Sequence, residues 1–240
     1  MSSPNPQSTP HPLIPPLTSF VHDCMKDFDP SHNPAHITRV VSLALRILQS
    51  EVARNPDKRI DEVTVHLAAL LHDISDRKYL PKTPESNLDA NGVSVPPERL
   101  VQHILTTHGA EKDLAERVQK VVSHVSYTTE KKNPNLVKNL IEQEGLIELA
   151  IVQDADRLDA LGAVGIGRCF TFLGAKGRDM LKEGEAWEME NSIRHFGEKL
   201  VRLEGMMKTG TGREMARVRT ERIVEFRRWW EEEVRDAGGC

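Results

Sequence analysis

Val63-Thr64-Val65-His66-Leu67-Ala68-Ala69-Leu70-Leu71-His72-Asp73-Ile74 is apolar almost all the way round a helical wheel. A helix without a polar face is normally buried on all sides. This stretch therefore reads as the central helix of a helical bundle. It ends on a histidine and an aspartate side by side. Burying an imidazole next to a carboxylate is costly unless both are paired or coordinated. A cation between them offsets that cost. A salt bridge would too, but no Lys or Arg precedes them on the helix.

Upstream, Asn33 offers an N-cap and Pro34 the first helical position. Ile37, Val40, Val41, Ala44, Leu45 and Leu48 then repeat at helical spacing until Asn55-Pro56-Asp57. His36 lies one turn before Val40, at the edge of that apolar stripe, and can face inward. A further helix is expected from about Thr18 to Asp27. Residues 1–17, Pro- and Ser-rich, read as a flexible tail, and 18–240 as a single domain.

Downstream, residues 81–97 form a Pro-rich loop. Helices are expected near Pro97 to Thr107, Glu111 to Val125 and Gly145 to Leu161, with a basic turn from Lys131 to Asn135. The third of these carries Asp154-Ala155-Asp156-Arg157-Leu158-Asp159. Asp156 follows Leu149 and Val152 on one face; Asp154 follows Ile147 and Ile151 on another. Periodicity does not choose between them. Gly162, Gly165 and Gly167 fit no phosphate-loop spacing and read as close helix packing. Two long charged helices, near Trp187 to Thr209 and Arg213 to Val234, close the chain. Trp229-Trp230 reads as a pair of core anchors or a homodimer contact. No period-2 strand pattern runs for more than a few residues, so the fold class is all-α.

Bulk properties exclude several functions. The net charge of −4, from 32 Lys and Arg against 36 Asp and Glu, provides no basic footprint for nucleic acid. Cys24, Cys169 and Cys240 are scattered and form no CxxC pair, so neither a disulfide framework nor a thiolate zinc site is expected. No apolar run reaches the roughly 20 residues of a membrane span. The N-terminal stretch lacks the apolar segment of a signal peptide. A cytoplasmic protein is expected, with the nucleus as the alternative.

His36, His72-Asp73 and a distant Asp resemble the HD-domain superfamily, in which a first His, an adjacent His-Asp pair and a later Asp bind metal. Longer stretches carry the resemblance: His36-Ile-Thr-Arg39-Val, Ala69-Leu-Leu-His72-Asp73-Ile-Ser-Asp76-Arg-Lys78-Tyr79 and Val152-Gln-Asp-Ala-Asp156-Arg157-Leu-Asp-Ala-Leu-Gly. With Glu198-Lys199-Leu200 and Gly212-Arg213, they are similar to a bacterial and fungal branch that includes a (deoxy)nucleoside triphosphate pyrophosphohydrolase. The resemblance implies an HD-domain helical bundle with His36, His72, Asp73 and Asp156 as metal ligands. Asp156 is preferred because Ala155-Asp156-Arg157-Leu158 matches the family's Ala-Asp-x-Leu context; Asp154 is the reserve.

Two imidazoles and two carboxylates suit Mn²⁺, with Mg²⁺, Co²⁺ or Fe²⁺ as alternatives. Such an ion polarises a P–O bond and lowers the pKa of a water. Arg39, Lys78 and Arg157 are the expected phosphate partners, and Asp76 the residue that orients water. His124 is a further inward candidate. The expected substrate is a small phosphorylated molecule, a nucleotide, cleaved to monophosphate and pyrophosphate by a single metal. A 5′-nucleotidase, a phosphodiesterase and a metal-bound regulatory module without turnover are the alternatives.

Overall fold

The computed structural model describes residues 10–74, 95–181 and 183–238. Among the described residues every regular element is helical. Helix α1 spans Ile14–Met25, α2 Pro34–Arg54, α3 Glu62–Leu71, α4 Pro97–Thr107 and α5 Lys112–Val122. Then come α6 Tyr127–Lys132, α7 Pro134–Glu142, α8 Ile147–Asp159, α9 Gly162–Lys176, α10 Glu190–Glu198 and α11 Gly210–Asp236.

The starts of α2 and α3 follow from local chemistry. The Asn33 side chain accepts the Ala35 amide, and Pro34 occupies the first turn, where its missing N–H costs nothing. The Asp61 side chain does the same for Val63. Helix α3 is buried along Thr64, Val65 and Leu67 to Leu71, as a helix apolar on every side must be. It is wedged among α1, α2, α5 and α8, and α2 also packs along α8. The metal candidates all lie on, or directly after, helices α2, α3 and α8 of this central layer.

Several expectations are corrected. Helix α1 starts at Ile14 rather than after Thr18, because Pro15 and Pro16 fit a first turn and Leu13, Ile14 and Leu17 are buried. The expected tail therefore extends too far by these residues. The turn from Lys131 to Asn135 shrinks to Asn133. Lys131 and Lys132 end α6, and Pro134 opens α7, whose Val137 and Leu140 reach the core. The helix expected from Trp187 to Thr209 is two pieces, α10 and a 3-10 segment Leu200–Met206. Of the loop expected at 81–97, residues 81–94 lie outside the described residues, and Pro97 already begins α4.

Gly162 has φ +70°, and a Cβ on Gly165 would collide with the Ala160 carbonyl. That close approach lets α9 turn back directly after α8. Trp230 packs on Phe170 and Phe226, while Trp229 stays exposed. Among the described residues no single helix is long and apolar enough to cross a membrane.

The N-terminus of α11 docks on two buried carboxylates. Glu51 of α2 accepts the Thr211 amide at 2.8 Å and hydroxyl at 2.7 Å. Asp154 of α8 accepts the Lys208 amide at 2.8 Å and the Thr209 amide at 2.8 Å. Anionic groups at a helix N-terminus satisfy its orphan N–H groups and match its dipole. A Cβ at Gly212 would run into Asp154, so only glycine fits this junction.

Candidate metal centre

His36 sits in the first turn of α2, where proline fixes the helix start. His72 and Asp73 follow the C-terminus of α3, and Asp156 lies on α8. These three helices pack against one another, so residues far apart in sequence share one place. Ligand atoms of His36, His72 and Asp156 lie within 4.8 Å of one another. His36 Nε2 is 3.4 Å from Asp73 Oδ2 and 3.8 Å from Asp156 Oδ1. His72 Nε2 is 3.5 Å from Asp73 Oδ1 and 3.7 Å from Asp156 Oδ1.

Both imidazoles are oriented from behind. His72 Nδ1–H donates to the Ala69 carbonyl at 2.8 Å, and His36 Nδ1–H donates to Asp159 Oδ2 at 2.7 Å. Each Nε2 therefore presents a lone pair to the shared space. His72 Nε2 and Asp73 Oδ2 are buried and make no hydrogen bond within the protein. Unmatched buried acceptors are costly, and a divalent cation satisfies both at once. The grouped donors, two imidazole nitrogens and the Asp156 carboxylate, suit such an ion, and Asp73 stands outside that group but within 3.5 Å of both imidazoles.

The electrostatics agree. Burial works against ionised Asp73, but His72 and His36 hold its carboxyl well below the usual range. Burial likewise opposes charge on His36, yet the Asp159 and Asp73 carboxylates raise its pKa.

A cleft of about 750 Å³ opens on this cluster. Its lining includes His32, Tyr127, Arg168, Phe172, His195 and Lys199. His32 is pushed down to about 4 by burial and by Arg168, so it is neutral near pH 7. Another cavity, of about 620 Å³, is lined by Glu185, Glu190, Arg194 and Arg227 and shares no residue with the His/Asp cluster.

The HD domain family matches residues 34–161, a range that contains His36, His72, Asp73 and Asp156. The chain belongs to the HD domain family. It is 34% identical over 218 residues to YpgQ of Bacillus subtilis, covering 91% of this chain and 92% of YpgQ. A crystal structure of Bacillus subtilis YpgQ in complex with ADP matches with a TM-score of 0.62 at 32% identity, covering 91% of this chain and 96% of that one. An HD-superfamily hydrolase from Bacillus thuringiensis matches with a TM-score of 0.62 at 28% identity, covering 92% and 95%. The chain is thus an HD-superfamily hydrolase, a metal-dependent phosphohydrolase.

Within this HD domain two of the three expected phosphate partners, Arg39 and Arg157, are paired with carboxylates, and Arg157 also lines the cleft. Arg39 donates to both Asp159 oxygens, at 2.7 Å and 3.0 Å. Arg157 is buried; it donates to Glu130 and, at 3.0 Å, to the Met206 carbonyl. Each has an acidic partner distant in sequence, which no local pattern announces. Asp76 and Lys78 lie outside the described residues. His124 Nδ1–H donates to the Lys120 carbonyl, and His124 does not join the ligand cluster. Asp154, the reserve ligand, is committed to α11, and burial raises its carboxyl above the ordinary value.

Sequence reasoning passed over Asp159, His32 and Arg168. Asp159 had a legible signal, since it follows Asp156 by three residues and so lies on a neighbouring strip of α8. Arg168 had one too, as the only charged residue between Asp159 and Lys176 in an otherwise apolar, glycine-rich stretch.

Proposed function

We propose that the chain hydrolyses nucleoside triphosphates at the α-phosphorus, giving a nucleoside monophosphate and pyrophosphate. The layout of one cleft carries the reading. The four donors His36, His72, Asp73 and Asp156 stand on the α2, α3 and α8 side, and Arg168, His195 and Lys199 line the α9 and α10 side. Its volume, about 750 Å³, lies in the range that encloses a nucleotide-sized ligand. The relative solved with ADP supports a nucleotide as the ligand class. The stretches His72 to Tyr79 and Gln153 to Gly162, similar to the pyrophosphohydrolase branch, support the bond cleaved.

His36 and His72 bind the cation through Nε2, and Asp73 and Asp156 bind through carboxylate oxygens; Mn²⁺ is the proposed ion. When bound, it supplies Lewis-acid polarisation of a phosphoryl oxygen and a lowered water pKa. Lys199 places positive charge where a polyphosphate carries negative charge, and Arg168 lines the same cleft while paired with Asp159. Tyr127, Phe172 and Leu203 offer apolar surface to the nucleoside. Water oxygen forms the new bond to the α-phosphorus, and the bridging oxygen leaves with pyrophosphate.

Incubation with dATP, dGTP and dTTP in Mn²⁺, followed by chromatographic separation of products, tests the reading. Monophosphate and pyrophosphate in equal amounts are expected. Diphosphate with orthophosphate would rule out attack at the α-phosphorus. Hydrolysis of dAMP, dGMP or dTMP in a parallel incubation, with the triphosphates left intact, would make the chain a nucleotidase. Mn²⁺ binding without turnover of any nucleotide would favour the regulatory module.

A further inference from the structure

Asp159 is almost wholly buried, yet it carries three charged or polar partners from two other helices. His36 and Arg39 reach it from α2, and Arg168 from α9. The distances are 2.7 Å to His36 Nδ1, 2.7 Å to Arg39 Nε and 3.1 Å to Arg168 Nη1. A lone buried carboxylate would be costly. Two guanidinium groups remove that cost and keep the group ionised, so it accepts hydrogen bonds and donates none. The imidazole facing it must then carry its proton on Nδ1.

We propose that Asp159 is a positioning residue of the metal centre. It locks the His36 imidazole in the tautomer and orientation that turn Nε2 toward His72, Asp73 and Asp156. The inference rests on the divalent-cation reading of those four residues. Arg39 and Arg168 act one step further back, by fixing the Asp159 carboxylate in place. Carboxylates that orient a ligating histidine typically change metal affinity roughly 10–100-fold when removed. Asp159 reaches the centre only through His36.

Asp159 also joins three helices, so a purely structural role predicts lost stability and nothing else. Two readouts separate the possibilities in the full-length protein. The first is the long-range ¹H–¹⁵N spectrum of ¹⁵N-histidine-labelled protein at alkaline pH, which reports the tautomer of His36. The second is Mn²⁺ affinity, read from free Mn²⁺ by electron paramagnetic resonance.

His36 is expected to be protonated on Nδ1 in the unsubstituted protein. In Asp159→Leu it should populate both tautomers, with Mn²⁺ binding weakened roughly 10–100-fold. Asp159→Asn keeps an acceptor without the charge and should fall between the two. If the leucine variant fails to fold, the asparagine variant carries the test. A folded variant with unchanged Mn²⁺ affinity, or a His36 protonated on Nε2 in the unsubstituted protein, would overturn the proposal. Failure of the unsubstituted protein to bind Mn²⁺, with His36 still protonated on Nδ1, would remove the cation reading and leave the lock supported by the spectrum.

Discussion

Asp154 and Thr209 meet twice: Asp154 Oδ2 accepts the Thr209 amide and the Thr209 hydroxyl, each at 2.8 Å. The same hydroxyl accepts the Gly212 amide at 2.8 Å, so the carboxylate anchors the whole first turn of α11. Asp156, two residues later, faces His36 and His72 instead. At about 100° per residue, two positions on a helix point to opposite sides. One helix therefore carries the proposed ligand on one face and the anchor of α11 on the other.

Asp156→Ala and Asp154→Ala should fail in different ways. The first should lose Mn²⁺ binding while its urea midpoint stays near that of the unsubstituted protein. The second should keep binding below its melting temperature but lose about 2–3 kcal/mol of stability, since buried amide donors are left unpaired. Isothermal titration and urea denaturation read the two quantities. The reverse pattern would transfer the fourth ligand to Asp154.

His72→Ala and Asp73→Ala should each remove bound metal and abolish turnover, because a four-donor site loses its geometry when one donor goes. Neither should unfold the chain, as both residues follow the end of α3 and make no hydrogen bond through His72 Nε2 or Asp73 Oδ2. Elemental analysis with far-ultraviolet circular dichroism checks both. Full metal content in Asp73→Ala would overturn the ligand set.

Glu130 sets a pH dependence. Burial opposes its charge, but Lys208 and Arg157 prevail and hold its carboxyl below the ordinary 4.5. A carboxyl depressed by folding contributes stability above its unfolded value and loses it as pH falls through the folded one. Glu130→Gln should therefore destabilise the protein at pH 7, where Arg157 loses its partner. The gap from the unsubstituted protein should narrow as pH falls below about 4.5. Urea unfolding at pH 7, 5 and 4 measures it; a gap that widens on acidification would be the wrong sign.

Leu17 tests the early start of α1. It is fully buried in the structure, although it falls within the segment expected to be a tail. Leu17→Ala should cost about 2–4 kcal/mol, through lost transfer energy and the cavity left behind. A change within about 0.5 kcal/mol, the usual size for a surface position, would detach this helix from the core.

The sequence alone was enough to mark α2 and α3, the Asn33 cap of α2, and the pair His72-Asp73. These signals are local: an apolar surface that never turns polar, a capping side chain at a fixed offset, and two polar groups stranded at the end of a buried helix. His36 stood out at the edge of the α2 stripe, and the resemblance made it a ligand and preferred Asp156 to Asp154. The split between Asp154 and Asp156 was not legible, because α8 is buried on nearly every side and periodicity has no solvent face to count from.

Only the tertiary structure decided where the charges go. Arg39 lies 120 residues from Asp159, and Arg157 lies 27 from Glu130, so neither partner can be read from its neighbours. Coulomb and hydrogen-bond energies depend on distance in space, and helix packing sets that distance. Burial of α2 against α8 converts an isolated arginine into a clamp on Asp159. It also turns Asp159, locally one more carboxylate on an acidic helix, into the group that holds His36.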